Sequence, residues 1–260
     1  MATNSLKPLV VIVGPTASGK TALAIEIAKK YDGEIICADS RTVYKDMNIG
    51  TAKPTVPEMQ GVPHHLLDIV EPDQKFTVSD FKHLADKSIA DIQSRGKLPI
   101  LVGGSGLYIN SVIYDYDFSA SSGPRDEQNP RHLSPEAPTQ VQQVRPDTLI
   151  LGINMDPDLL KERIAKRVDL TIENGLVDEL KMLANKYGWE LSPMHAPAYK
   201  AFRPYLEGTI DLDQAKAQNI VYDSRLAKKQ RTWFKRNNSI HWLSDPSKYV
   251  DILTTFLNNR

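Results

Sequence analysis

The chain has 260 residues, and its 32 lysines and arginines balance 32 aspartates and glutamates, so the formal net charge is zero. That balance argues against a protein coated in positive charge for a polyanion, while leaving room for one basic patch. A single cysteine, Cys37, excludes an internal disulfide framework and any multi-cysteine zinc module. The apolar stretch near the start, Pro8 to Val13, is far too short for a membrane span or a signal-peptide core, which points to the cytoplasm.

Leu9 to Val13 is a continuous apolar run rich in β-branched residues, as expected for a strand covered on both faces. Gly14 to Lys20 breaks it, and Thr21 to Tyr31 reads as a helix with Leu23, Ile27 and Tyr31 along one face. A second short strand, Glu34 to Ala38, ends at Asp39 and Ser40. Residues 41–76 carry Gly50, Pro54, Pro57, Gly61, Pro63 and Pro72 and read as an irregular connection. Thr77 to Arg95 is a helix capped by Thr77 or Ser79, and Leu98 to Val102 is the next strand, running into Gly103-Gly104-Ser105-Gly106. The stretch from Ser119 to Pro146 holds five prolines and few large apolar residues, so it is expected to be a mobile surface segment that adds little to a core. Thr148 to Ile153 is another strand, and Asp156-Pro157 opens helical patterning that continues to about Tyr187 with a break near Asn174-Gly175. Asp213 to Lys235 reads as a long final helix and Ile240 to Leu243 as a last strand.

Strands alternating with helices imply an α/β fold with a parallel sheet flanked by helices. The chain divides on this reading into residues 1–118 as the first part of the core, 119–147 as the flexible polar segment, and 148–260 as core completion with a basic C-terminal helix.

Gly14-Pro15-Thr16-Ala17-Ser18-Gly19-Lys20-Thr21 fits G-x-x-x-x-G-K-[ST] in full and sits between a predicted strand and a predicted helix. The glycines let successive backbone N–H groups turn inward toward phosphate oxygens, and the helix N-terminus adds partial positive charge. Lys20 supplies a full charge to the terminal phosphate, and the Thr21 hydroxyl can ligate Mg²⁺. The motif specifies a phosphate or diphosphate and does not by itself specify ATP. Asp39 falls at the C-terminal end of the second strand, where ligands of open α/β sheets bind, and can be either a metal ligand through water or a general base.

Further blocks extend the pattern: Asp39-Ser40-Arg41-Thr42-Val43-Tyr44, Asn48-Ile49-Gly50-Thr51-Ala52-Lys53-Pro54, Pro63-His64-His65-Leu66-Leu67-Asp68 and Gly103 to Tyr108. Near the C-terminus stand Ala198-Tyr199-Lys200, Tyr205-Leu206-Glu207-Gly208 and Ser224 to Phe234. In this order the blocks resemble the tRNA dimethylallyltransferase (isopentenyl transferase) family, densely over residues 8–118 and more loosely over 148–243.

The resemblance implies a P-loop NTPase-like (kinase-like) fold and transfer of a dimethylallyl group from dimethylallyl diphosphate to N6 of an adenosine beside the tRNA anticodon. It implies a loop that holds the donor's diphosphate through Gly14, Thr16, Ala17, Ser18, Gly19, Lys20 and Thr21, with Mg²⁺ near Thr21. Asp39 would take the N6 proton, Thr16 would lie beside the reacting carbon, and Arg225 would join Lys20 on the diphosphate. Ser40, Arg41, Thr42 and Ser105 would line the acceptor side, although the family more often has glutamine at 42 and threonine at 105. The partners are then the tRNA anticodon arm and the prenyl donor, with the protein acting as a monomer away from membranes.

Six cations, Arg225, Lys228, Lys229, Arg231, Lys235 and Arg236, fall within twelve residues that hold no acid, and they wrap around a helix rather than forming one stripe. His64 and His65 read as structural loop residues, since neither has metal-like partner spacing. The helical insertion that most relatives carry to grip RNA, with its Arg-Ala-Leu-Glu run, has no counterpart in Ser119 to Pro146. That leaves open a compact tRNA enzyme or an enzyme prenylating free AMP or ADP. A P-loop nucleotide kinase is disfavoured by the matching blocks and by the lack of a legible arginine-rich lid.

Overall fold

The computed structural model describes residues 8–118 and 143–258. The proline-rich stretch expected to be mobile falls almost wholly in 119–142, outside the described residues. Its last residues are held to the core. The Arg145 N–H donates to the Ile113 carbonyl at 2.6 Å, and the Arg145 side chain reaches Asp86 at 3.4 Å.

In chain order the elements are β1 (Leu9–Val13), α1 (Lys20–Lys30), β2 (Gly33–Cys37), the one-turn α2 (Val56–Met59), the short β3 (His64–His65), α3 (Val78–Ser94), β4 (Leu98–Gly103) and α4 (Gly106–Ile113). After the undescribed stretch come β5 (Thr148–Ile153), α5 (Pro157–Glu173), α6 (Leu176–Tyr187), α7 (Pro197–Leu206), α8 (Leu212–Phe234), β6 (Ile240–Leu243) and α9 (Tyr249–Asn258). The strands form one sheet in the order β3-β2-β4-β1-β5-β6, parallel at every pairing. This is the α/β architecture that the alternating pattern implies.

The central strand explains why its sequence is apolar throughout. Val10 and Ile12 face a core shared with α1 and α9, while Leu9, Val11 and Val13 face a second core shared with α3, α4 and the end of α8. A strand with helices on both faces has no polar side. Caps account for the helix starts: Thr77 and Asp80 form a reciprocal capping box on α3, Asp211 and Gln214 do so on α8, and Asp156 caps α5 ahead of Pro157.

The structure adds elements that periodicity does not reveal. The irregular connection 41–76 contains α2, set by a Thr55–Glu58 capping box, and the edge strand β3. The long α8 is not the last helix, because α9 follows β6 and seats Tyr249 and Leu253 in the α1 core. A third core is separate from the sheet. Val43, Tyr44 and Met47 from the connection pack with Leu176, Leu180 and Leu183 of α6 and with Tyr199 and Phe202 of α7. This helical lobe leans on the C-terminal ends of the strands, and a cleft opens between the two.

His64 and His65 keep their structural reading. The His65 ring is 2.7 Å from Glu34, a carboxylate only 3% exposed that also meets Arg95 and Lys97. The Arg95 guanidinium, with help from His65, holds the Glu34 carboxyl down at about 2. Glu34 sits near the start of β2, at the end of the sheet remote from the cleft.

Candidate active site

β1 delivers the phosphate loop. Gly19 takes φ 92° as it turns into α1, and Ala17 also has positive φ at 60°, so the loop alternates hand and points its amides inward. Lys20, the first residue of α1, folds back and donates to the Pro15 carbonyl at 2.7 Å. Enclosure by protein lowers its ammonium to about 8; Asp39 opposes that shift, and Arg167 adds to it. Lys20, Asp39 and Arg167 therefore share one electrostatic neighbourhood.

The cleft has an empty volume of about 630 Å³ and is lined by Thr16 and Lys20 of the loop, by Asp39 and Arg41, and by Arg167 of α5. Gly50 and Ala52 close one wall, and Asp223, Leu226 and Gln230 of α8 close another. Asp39 follows β2. One carboxylate oxygen accepts from the Arg41 N–H at 2.8 Å, which fixes the side chain while leaving the second oxygen for a ligand. Arg41 reaches across to the Ser192 carbonyl at 2.9 Å. Ser105, the residue before α4, accepts from the Ser40 N–H at 3.0 Å, so its own proton stays available to donate. Thr16 is held on both sides: its N–H donates to Gln230 Oε1 at 2.8 Å, and its hydroxyl accepts from Arg167 at 2.6 Å.

Of the residues singled out from sequence, Thr16, Lys20, Asp39 and Arg41 meet in this cleft, with Ser40 and Ser105 tied together at its edge. Gly14 and Ser18 are buried in the loop, and Thr21 is exposed on the first turn of α1. Two residues lie elsewhere. Thr42 is 6% exposed and absent from the cleft lining, with its hydroxyl unpartnered. Arg225 is exposed and does not line the cleft either. On α8 the cleft-facing residues Asn219, Asp223, Leu226 and Gln230 recur every three or four positions, and Arg225 falls off that face.

Its expected place is taken by α5. Arg167 bridges Thr16 to Asp223, the latter at 2.8 Å, and Arg163 one turn earlier approaches Gly19. These two arginines, one helical turn apart on α5, stand beside the phosphate loop and were not singled out from the sequence. Their four-residue spacing was the signal, masked by neighbouring charges on the same helix.

A buried carboxylate was also missed. Glu179 of α6 accepts from the N–H groups of Asn48, Ile49 and Gly50 at 2.7–2.9 Å and from the Tyr199 hydroxyl at 2.8 Å. Four donors on one carboxylate shape the loop that forms the lobe-side wall.

At this stage the geometry defines a P-loop protein with cations arranged to receive an anionic group and a carboxylate beside them. Comparison with known proteins narrows the class. The family model described as IPP transferase matches residues 42–140 and 128–237. The tRNA dimethylallyltransferase of Staphylococcus saprophyticus is 40% identical, over 90% of this chain and 90% of its own. That of Staphylococcus epidermidis is 37% identical over 314 residues, covering 99% and 94%. The crystal structure of the full-length tRNA isopentenylpyrophosphate transferase from Bacillus halodurans superposes with a TM-score of 0.85 at 32% identity, covering 98% of both chains. The chain belongs to the IPP transferase family.

Proposed function

We propose that the chain transfers a dimethylallyl group from dimethylallyl diphosphate to N6 of an adenosine beside the anticodon in tRNA, acting as a monomer. The observation that carries the reading is the meeting of Lys20, Arg167 and Asp39 in one cleft, with cations at the phosphate loop and a carboxylate beyond them.

The reaction forms a bond between N6 and the allylic carbon and breaks the bond from that carbon to the diphosphate oxygen. An exocyclic adenine nitrogen is a weak nucleophile, because its lone pair is delocalised into the ring. The oxygen of Asp39 not engaged by Arg41 accepts the N6 proton as the bond forms. The allylic carbon carries positive character in the transition state, so the protein's main task is to stabilise the departing diphosphate. The loop amides, Lys20 and Arg167 do this, and Arg167 replaces Arg225 in that role. Ser105 donates its free proton toward the adenosine.

The Thr21 hydroxyl, directly after Lys20 on the first turn of α1, would hold Mg²⁺ together with substrate oxygens. When bound there, the ion would neutralise diphosphate charge.

Residues 119–147 read as a shortened stand-in for the insertion that relatives use on RNA. Support comes from the composition and from an alignment to the S. epidermidis enzyme that runs over 314 residues although this chain has 260. The same shortness supports the second reading, with free AMP or ADP as acceptor.

Labelled dimethylallyl diphosphate offered with unmodified tRNA or with AMP separates these readings. Label on tRNA is expected, and label on AMP alone overturns the tRNA assignment. Asp39→Ala is expected to slow transfer by about 10²–10⁴-fold with donor binding intact; near-normal turnover removes Asp39 from the base role.

A further inference from the structure

We propose that the groove between α4 and the C-terminal half of α8 is a second nucleotide subsite. It takes an unstacked base next to the target adenosine, while cations on α8 carry the adjoining phosphates. This deepens the tRNA reading above and rests on it.

Helical phase sets up the site. Beside the cleft-lining face of α8 runs a second row, Tyr222, Arg225, Lys229 and Trp233, whose positions also recur every three or four residues, and Arg236 follows in the turn past the helix end. The basic residues of this segment, which looked scattered around the helix in sequence, thus include one interleaved stripe of cations and rings. Arg225, Lys229 and Arg236 are exposed and have no carboxylate partner among the described residues. Some cations elsewhere on the surface are paired, Lys45 with Glu71, Lys82 with Asp86 and Asp115, and Lys186 with Asp46, while others, such as Lys75 and Lys87, have no ion pair among the described residues; what sets the α8 row apart is its place beside the cleft. An unpaired row beside a cleft is the charge pattern of a surface that receives an anion.

The row ends in a depression of about 370 Å³ lined by Asn110, Tyr114, Trp233, Phe234, Arg236 and Asn237. Trp233 joins this depression to the cleft. Its indole lies so close to Gly106 that a Cβ there would stand 2.3 Å from the ring, and Gly106 directly follows Ser105. The depression is therefore adjacent to the cleft's acceptor edge.

Its chemistry suits a nucleobase. Trp233 and Tyr114 line it with aromatic rings, Tyr114 already stacked on Tyr116 at 6.3 Å between centroids, and aromatic stacking is how proteins hold splayed bases of single-stranded RNA. Asn110 supplies a carboxamide with donor and acceptor, and Asn237 keeps its amide N–H groups free because its oxygen is taken by the Ser239 N–H at 2.8 Å. Lys229, on α8, and Arg236, in the turn just past its end, are both exposed and flank Trp233 in sequence, and they meet the phosphates on either side of the base. An acidic peptide would satisfy the cations but leave the rings and carboxamides without a purpose.

The test uses the full chain, dimethylallyl diphosphate and an anticodon stem-loop RNA. The double variant Lys229→Ala/Arg236→Ala is expected to raise the RNA KM at least tenfold with donor KM unchanged. It should also flatten the slope of log affinity against log salt by about 0.7 per lost phosphate contact. Lys30→Ala, at the far end of α1 from the phosphate loop, should change neither. An abasic nucleotide beside the target adenosine should weaken RNA binding to the unmodified protein, and the Trp233→Leu variant should no longer distinguish abasic from intact RNA. Unchanged RNA KM and salt slope in the double variant overturn the phosphate row. Equal binding of abasic and intact RNA by the unmodified protein overturns the base subsite, whatever Trp233→Leu does to folding. Transfer to AMP but to no RNA overturns the tRNA reading itself, a result distinct from either.

Discussion

Two enclosed lysines serve the two walls of the cleft in opposite ways. Lys53, at the end of the lobe-side loop, is 8% exposed and spends its ammonium on three acceptors: the Tyr44 carbonyl at 2.7 Å, Asn48 Oδ1 at 2.8 Å and Asp68 Oδ1 at 2.5 Å. An ammonium has three hydrogens, so this one is saturated. Lys20, in the phosphate loop, has the Pro15 carbonyl as its protein acceptor and is held down to about 8 by enclosure. A lysine that shapes a loop is fully paired by the fold. A lysine that must receive a ligand is left short of partners, and the fold bears that cost until the diphosphate arrives.

Substitutions can break this contrast. The largest effect is expected at Lys20. Lys20→Met should lower kcat/KM for transfer by about 10²–10³-fold, the usual loss for one preorganised donor to developing negative charge. Its thermal stability should stay level or rise, because an enclosed charge without full pairing is removed. A melting temperature as depressed as that of Lys53→Met would erase the distinction.

Lys53→Met should do the reverse. It strands three acceptors, one on the half-exposed Asp68, and is expected to cost about 3 kcal/mol in denaturant unfolding. Unfolding midpoints equal to those of the unmodified protein would show that the saturated network is incidental.

Glu179 extends the contrast to a carboxylate. Glu179→Gln replaces one of two accepting oxygens by an amide that faces backbone N–H groups, so the 48–50 segment should loosen. The acceptor KM should rise about tenfold, near 1.4 kcal/mol, with donor KM unchanged. Equal changes in both KM values would mark a general loss of folding instead. Tyr199→Phe removes one of the four donors and should give a smaller shift of the same kind.

The smallest effect is a pH slope. Enclosure lowers the Lys20 ammonium to about 8 in the free protein, and the diphosphate is expected to bind its protonated form. Donor affinity should be level below pH 8 and fall about tenfold per unit above it, with one proton taken up on binding. Lys20→Arg keeps its charge and should flatten the slope, even if it binds donor less well. Titration calorimetry in buffers of different ionisation heat measures the uptake, and none at pH 9 would refute the assignment.

Much of the cleft was legible because its information is local. The phosphate loop is eight contiguous residues, and the strand ahead of it declares two covered faces by being apolar at every position. Asp39 could be placed because residues just past parallel strands face the ligand crevice. The helix starts were equally local, set by caps such as Thr77 and Asp211.

What the sequence by itself determined, then, was the sheet with its loop and the family resemblance carried by short ordered blocks. Tertiary structure decided which long side chains reach the cleft. Arg225 and Arg167 look alike in composition, but helical phase and the docking of α5 across the loop bring only Arg167 to Thr16. The helical lobe was likewise invisible, because its core joins residues 43–70 to 176–202 and no window of sequence spans both. Glu179 shows the physical reason most plainly. A glutamate on an amphipathic helix reads as solvated, and only packing against a loop some 130 residues earlier turns it into the acceptor that shapes one wall of the site.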